Sequence, residues 1–408
     1  MKLKRGAVLI TILLTLLLCG SCNSKPNPED NSNSVIKANG PETDGDTDTL
    51  ILYNGTLIDG TGNEPKEHIK VTVRDGRITA VEENTDAPDK TEADNLIDLK
   101  GGFLLPGFIN AHVHRACNET NLKNWLKGGV TTVRDLGSGD VVGYREKYNS
   151  DNGNSFIVLG NSILAPTGGY GNMFYDSAED VKETVEELVG KDYDIIKFSL
   201  EDDLMGRKWA MPTYDEVKAI VDTAHGNNRK VSVHISHVRN LQWAIEAGVD
   251  DISHMVVEPL DSKTIEAIVE NGIYWIPTLE LWNGVSKTHN LDWDKIAIKN
   301  LEAFYKMGGK IALGTDFAGY ACEFDKGLPI TEIHLMQEAG MKNMDIIVAA
   351  TRNAAAVCDM EEETGTVEPG KRADLLIVEG DPLTDMDALL NVKMVIHNGV
   401  IAYVPQQE

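Results

Sequence analysis

The sequence predicts an α/β protein: a (β/α)8 TIM-like barrel with a small β-sandwich domain formed by the N- and C-terminal segments. Three observations predict it. From Pro106 to residue 364, strand patterns alternate with helical patterns in the rhythm of βα units. On both sides lie β-patterned stretches broken by Asn-Gly and Asp-Gly turns. Within the alternating region, single polar residues interrupt apolar strands close to their C-terminal ends, the face on which barrel active sites assemble.

The chain has 408 residues, enough for one large domain and a smaller one, and its 42% apolar content suits a substantial core. It opens with "MKLKRGAVLITILLTLLLCGSC", a basic start, an apolar run from Ala7 to Leu18, then small residues. The run is short for a bilayer span and matches a secretory signal over residues 1–22. "CGSC" resembles a bacterial lipoprotein box with Cys22 as the lipidated residue, although Cys19 stands where Leu is usual. Ordinary signal cleavage nearby, or retention as an anchor, is the alternative. Residues 23–49 are polar and rich in Asn, Asp and Pro, as expected of a disordered tether.

Residues 50–105 read as short strands of a small antiparallel sheet. "LILYNGTLIDGTG", "HIKVTVRDGRITAVEEN" and "NLIDLKGGFLLPG" carry the pattern. The eight barrel strands are expected at 107–114, 130–137, 156–164, 194–200, 230–236, 250–256, 273–281 and 310–317, with helices near 213–227, 261–271 and 293–307. Helices are expected near 343–357. Residues 365–408 return to β patterns, which should pair with the N-terminal strands. The barrel thus occupies 106–364, and the composite β domain 50–105 plus 365–408.

The formal net charge of −26 repels phosphate backbones and anionic bilayers, so neither nucleic acid nor a bare membrane surface is an expected partner. Cys117, Cys322 and Cys358 remain outside the export segment. An odd count without a CxxC pattern argues against a disulfide scaffold or zinc ribbon, and each reads by default as a small buried hydrophobe.

"GFINAHVHRAC" places His112 and His114 two apart at the end of the first barrel strand. Alternate strand residues face one side, so both imidazoles aim at one object, and a metal ion is the usual shared object. Alone, the pair is a weak signal, since core and surface histidines are common. The other strands add Lys197 in "DIIKFSL", His234 in "VSVHIS", His254 in "DISHM" and Asp316 in "ALGTDF". Singly, such a His or Asp is often structural, and a lysine in an apolar strand can snorkel. Together they put six polar groups on five strands at one barrel face.

That order resembles the binuclear amidohydrolase superfamily. "LLPGFINAHVH", "GVTTVRDLG" and "GTVEPGKRADLLIVEGDP" are similar to its imidazolonepropionase-like and prolidase-like branch, over roughly residues 50–405. The resemblance implies that His112, His114 and Asp316 bind one divalent metal, that His234 and His254 bind a second, and that Lys197 bridges them as a carbamate made from CO2. Zinc suits such ligands, and Mn, Fe or Co are alternatives. The resemblance further implies that Asp316 is the general base that takes the proton of the attacking water and passes it to the leaving amine. The deaminase branch carries His-x-x-Glu on the fifth strand. Here the stretch reads "HISH", with His237 in the Glu position, which argues against deamination. Imidazolonepropionases proper lack the strand-four lysine, so Lys197 favours the prolidase-like side.

Prolidase-like relatives tend to carry "TGGHG" after strand three, where the His contacts substrate. This chain has "TGGYG", so Tyr170 is a candidate donor to the substrate carbonyl, with packing in a glycine turn as the alternative. Arg115 is a candidate partner for a substrate carboxylate, with a structural salt bridge as the alternative. His68, His225, His289, His334 and His397 read as structural or solvated. The first and eighth strands of a closed barrel are neighbours, so a Cys117–Cys322 disulfide over the site is a further expectation.

These readings point to a metal-dependent hydrolase of an amide or peptide C–N bond in a dipeptide, N-acyl amino acid or cyclic amide. Lactones or phosphoesters are an alternative substrate class on the same site. A non-catalytic solute-binding lipoprotein is the competing class, but it would need neither Lys197 nor Asp316. The expected setting is the cell envelope, with the membrane reached only through the N-terminal lipid anchor. A homo-oligomer is compatible with the sequence.

Overall fold

The structure is a computed structural model and describes residues 49–83, 86–89, 93, 95–139, 142–317 and 322–406. The export signal with Cys22, and all of the tether before Thr49, lie outside these residues. Thr49 itself opens a strand and is buried. Among the described residues, no helix is long and apolar enough to cross a membrane.

The barrel strands are Phe108–Val113, Val130–Asp135, Phe156–Leu159, Ile195–Ser199, Lys230–His234, Asp251–Ser253, Tyr274–Ile276 and Lys310–Ile311. The first three pair in parallel, and the last five pair in parallel in chain order. A Gly160–Ile195 bridge joins the two groups, and a Val113–Phe317 bridge closes the ring. Closure is tight. Asp316 N–H donates to the His112 carbonyl at 2.9 Å. A Cβ at Gly314 would lie 2.8 Å from the His112 nitrogen, so only glycine fits there.

Helices between the strands lay apolar faces on the barrel. Tyr214–Gly226 buries Val217, Ile220, Val221 and Ala224, and starts with a Thr213/Glu216 capping box. Ser262–Glu270 buries Ile265 and Ile268 behind an Asp261 cap. The ring interior holds a buried ion pair. Arg134 reaches Asp251 with two nitrogens at 2.8 and 3.1 Å and donates to the carbonyls of Ala111 at 2.6 Å and Val357 at 2.8 Å.

Several expected strand ends move. The third strand stops at Leu159, and Leu164–Pro166 forms a separate short strand. The expected 273–281 strand ends at Ile276, because Pro277 and the left-handed Thr278 (φ 48°) turn the chain into a helix, Leu279–His289. The eighth strand is regular only over Lys310–Ile311. The helices expected near 343–357 are Asn343–Ala350 and Arg352–Val357, separated at Thr351.

Two sheets make the small domain. One has strand order Arg77–Glu82, Lys70–Arg74, Thr49–Tyr53, Asn95–Asp98, and the last pair is parallel rather than antiparallel. The other joins Thr56–Leu57 and Phe103–Pro106 to the C-terminal strands Leu375–Val378, Val392–His397 and Val400–Tyr403. Leu50, Leu52 and Val71 from one sheet and Leu104, Leu375 and Ile396 from the other share a core. At its edge His397 Nδ1 sits 2.9 Å from Asp374, whose carboxylate also meets Arg372 at 2.6 Å and the backbone of Asn398 at 2.9 Å.

Candidate metal centre

The barrel brings five of the six candidate ligands into close register around Asp316. Its Oδ1 lies 3.1 Å from His112 Nε2 and 2.9 Å from His114 Nε2. The His112 ring is 5.4 Å from that of His114 and 5.0 Å from that of His254, and the His254 ring is 4.7 Å from that of His234. Nitrogens of His112 and His254 and an oxygen of Asp316 all fall within 4.8 Å of one another.

Local structure fixes each group. Asn110 accepts from the backbone of His112 at 3.3 Å and of Thr315 at 3.2 Å, and so ties the first strand to the chain that carries Asp316. His114 packs on Gly137, where a Cβ would approach its ring to 3.3 Å. His254 Nδ1 pairs with Thr278 Oγ1 at 2.9 Å, and its carbonyl accepts from Trp275 Nε1 at 2.7 Å. His254 (φ 74°), Thr278 (φ 48°) and Asp316 (φ 61°) all hold left-handed backbone conformations. Such strain persists where surrounding structure over-determines it, and it clusters at functional sites.

Lys197 is fully buried, and its Nζ donates to Ser253 Oγ at 2.6 Å. Ser232 lies 3.0 Å from Ser253 and 2.6 Å from Asp251, which links the lysine to the Arg134 pair. Burial pulls the Lys197 ammonium down to about 7, against the nearby Asp251 carboxylate. Burial, reinforced by Lys197, pushes His112 down to about 3, and burial pushes His254 well below the ordinary range. Burial also opposes the charge on Asp316, but the histidines around it win and hold its carboxyl well below the usual value. For His114, Asp316 and Asp135 overcome burial and raise the imidazole.

A metal site requires neutral imidazoles, an ionised carboxylate and an unprotonated lysine. Burial drives His112, His254 and Lys197 that way, and Asp316 is ionised. Buried polar atoms here also lack partners. Both ring nitrogens of His112 and Oδ1 of Asp316 make no hydrogen bond, although they stand within about 3 Å of polar neighbours. Unpaired buried acceptors are costly, and a cation at their focus removes that cost. The donor set therefore fits a divalent metal.

Tyr170 reaches the site. Its ring stacks on His234 at 4.4 Å, with 18° between planes, and meets the edge of Trp209 at 5.1 Å. Arg115 is exposed one residue beyond His114, in a left-handed conformation, and its N–H bonds Ser138. His237 bonds the Asp203 carbonyl at 2.6 Å and lies 3.0 Å from Glu258. His225, His334 and His397 pair with Asp250, Asp387 and Asp374.

The expected disulfide is absent: Cys117 and Cys322 are both free thiols. Cys322 packs on Gly284 of the Leu279–His289 helix, while Cys117 lies within range of Asp135 and Arg145.

Sequence reasoning missed Glu201, a buried carboxylate that faces His234 Nε2 at 3.3 Å. It sits two residues past the fourth strand, and that position on the catalytic face was the available signal. Trp209 and Thr278 were missed as well, and neither carries a residue-type signal for chemistry.

The amidohydrolase family model matches residues 103–402, and the chain belongs to that family. It stands with the prolidase-like members. A solved Xaa-Pro dipeptidase with methionine in its active site superposes with TM-score 0.78 at 25% identity, over 88% of this chain and 100% of that one. Ochratoxinase from Aspergillus niger is 26% identical over 85% of this chain and 84% of its own length. A 5-methylthioadenosine/S-adenosylhomocysteine deaminase from Acetivibrio thermocellus is 22% identical over 81% of this chain and 86% of its own.

Proposed function

We propose that the chain is a two-metal hydrolase of an amide or peptide C–N bond, with a dipeptide, N-acyl amino acid or cyclic amide as substrate. One observation carries the reading: the buried, partnerless ring nitrogens of His112 and Oδ1 of Asp316 meet beside His254 at the barrel mouth. His112, His114 and Asp316 would hold one divalent cation, His234 and His254 the other, with zinc suited to both. Bound there, such a pair lowers the pKa of a water and polarises the substrate carbonyl.

The residues supply the rest. The unprotonated Lys197 Nζ would attack CO2, forming an N–C bond and releasing one proton to solvent, so that a neutral amine becomes an anionic carbamate. Asp316, ionised and pinned to the His112 backbone, takes the proton from the attacking water and delivers it to the leaving nitrogen. The Tyr170 hydroxyl donates to the substrate carbonyl oxygen, and the stack on His234 supports that role. Arg115 pairs with a substrate carboxylate, a role its exposed position next to His114 supports. His237 in place of a Glu, engaged with Asp203, favours hydrolysis over deamination.

The N-terminal pattern of basic, apolar and small residues supports export and attachment through Cys22. The test is amine release from a panel of dipeptides, N-acyl amino acids and cyclic amides, before and after chelation and zinc return. Chelator-sensitive release restored by zinc supports the reading. Release unaffected by chelation contradicts it.

A further inference from the structure

Glu201 is 1% exposed and is satisfied from several directions. Its Oε2 lies 3.3 Å from His234 Nε2, close but without the alignment of a hydrogen bond, and accepts the Ser236 hydroxyl. Its Oε1 accepts the Asp203 N–H at 3.3 Å and lies 3.9 Å from His237 Nε2. Asp203 opens a small hairpin, Asp203–Leu204 with Arg207–Lys208, turned by Met205 and Gly206 in left-handed conformations. Trp209 follows the hairpin and abuts Tyr170, whose ring lies on His234. One carboxylate thus meets the edge of the His234 imidazole directly and, through the hairpin, supports the ring stacked on its face.

A neutral imidazole carries its hydrogen on one nitrogen and a lone pair on the other, and a carboxylate facing one nitrogen selects the tautomer with hydrogen there. We propose that Glu201 is a positioning residue of the metal centre: it keeps the His234 proton on Nε2, so that Nδ1 is the nitrogen offered to a cation. The proposal rests on His234 being a ligand. A carboxylate that orients a ligating histidine typically supports metal affinity by 10–100-fold. His237 is the internal control. It touches Glu201, Glu258 and the hairpin, and it is not among the histidines whose rings meet one another.

The test uses the full chain in three forms: wild type, Glu201→Gln and His237→Gln. Nitrogen-15 NMR of the metal-stripped protein reads the His234 tautomer, assigned by comparison with His234→Gln. Zinc retained against a competing chelator reads affinity. The proposal expects Nε2–H on His234 in the wild type, loss of that tautomer and about 10–100-fold weaker zinc retention in Glu201→Gln, and no change in His237→Gln. It is overturned if wild-type His234 carries its hydrogen on Nδ1, or if Glu201→Gln holds zinc as the wild type does. If Glu201→Gln does not fold, the wild-type tautomer alone decides. If the wild type takes up no zinc, the ligand reading fails, while the tautomer still judges Glu201.

Discussion

Two regions of this molecule bury histidine against aspartate, and they do so differently. In the small domain, His397 meets Asp374 at 2.9 Å, and Arg372 and the Asn398 N–H also bond that carboxylate. At the barrel mouth, two imidazoles crowd one oxygen of Asp316, and that oxygen makes no hydrogen bond. In the first arrangement both carboxylate oxygens are hydrogen-bonded. The second leaves Oδ1 of Asp316 and both ring nitrogens of His112 without a hydrogen bond. A buried pair that saturates itself is structure; a buried cluster that leaves acceptors open is shaped for a ligand. The Arg134–Asp251 pair inside the ring belongs with the first kind, since Arg134 also bonds two carbonyls.

Substitutions can break this contrast. The largest effect is expected from Asp316→Asn, which keeps the shape and a side chain that tolerates the left-handed backbone. Amide hydrolysis should fall on the order of 10²- to 10⁴-fold, while the melting temperature holds or rises. A parallel loss of stability would place Asp316 with the structural pairs. Next is Arg134→Met, which strands Asp251 in the ring interior. Denaturant unfolding should show a loss of about 3–5 kcal/mol, and unchanged stability would sink the structural assignment.

Asp374→Asn should cost less, about 1.5–3 kcal/mol at neutral pH, as hydrogen bonds to a charged group do. Its pH dependence sharpens the comparison. Burial opposes the Asp374 charge, but His397 and Arg372 outweigh it and hold its folded pKa below the unfolded value of 3.8. That stabilisation is fully present above the unfolded pKa and is lost as pH falls through it toward the folded one. Wild-type stability should therefore drop below about pH 4 more steeply than that of Asp374→Asn. Parallel acid profiles would contradict the assignment. The smallest effect is expected from Tyr170→Phe, which keeps the stack on His234 and removes one donor. A loss in kcat/KM of about tenfold matches one neutral hydrogen bond, and no change would reduce Tyr170 to packing.

The same contrast explains what the sequence made legible. His112, His114, Lys197, His234, His254 and Asp316 stood out because each polar group interrupts an apolar strand near its end, where period and position both carry information. Glu201 did not, because "LEDDL" reads as an ordinary acidic loop, and only folding reveals which carboxylate is buried. The seventh strand was drawn too long because "IYWIPTLEL" is apolar and β-rich throughout, and its turn depends on Thr278, held left-handed by tertiary contacts. The disulfide expectation failed because strand adjacency does not specify where a loop's side chains pack.

The proposed metal pair at the barrel mouth would need Lys197 among its ligands. The most direct test is metal per chain in purified wild type beside Lys197→Ala, after growth with zinc. About two equivalents are expected in the wild type, with a sharp fall in the variant. One equivalent, unchanged in Lys197→Ala, would contradict that requirement and return Lys197 to the structural group with Arg134 and Asp374.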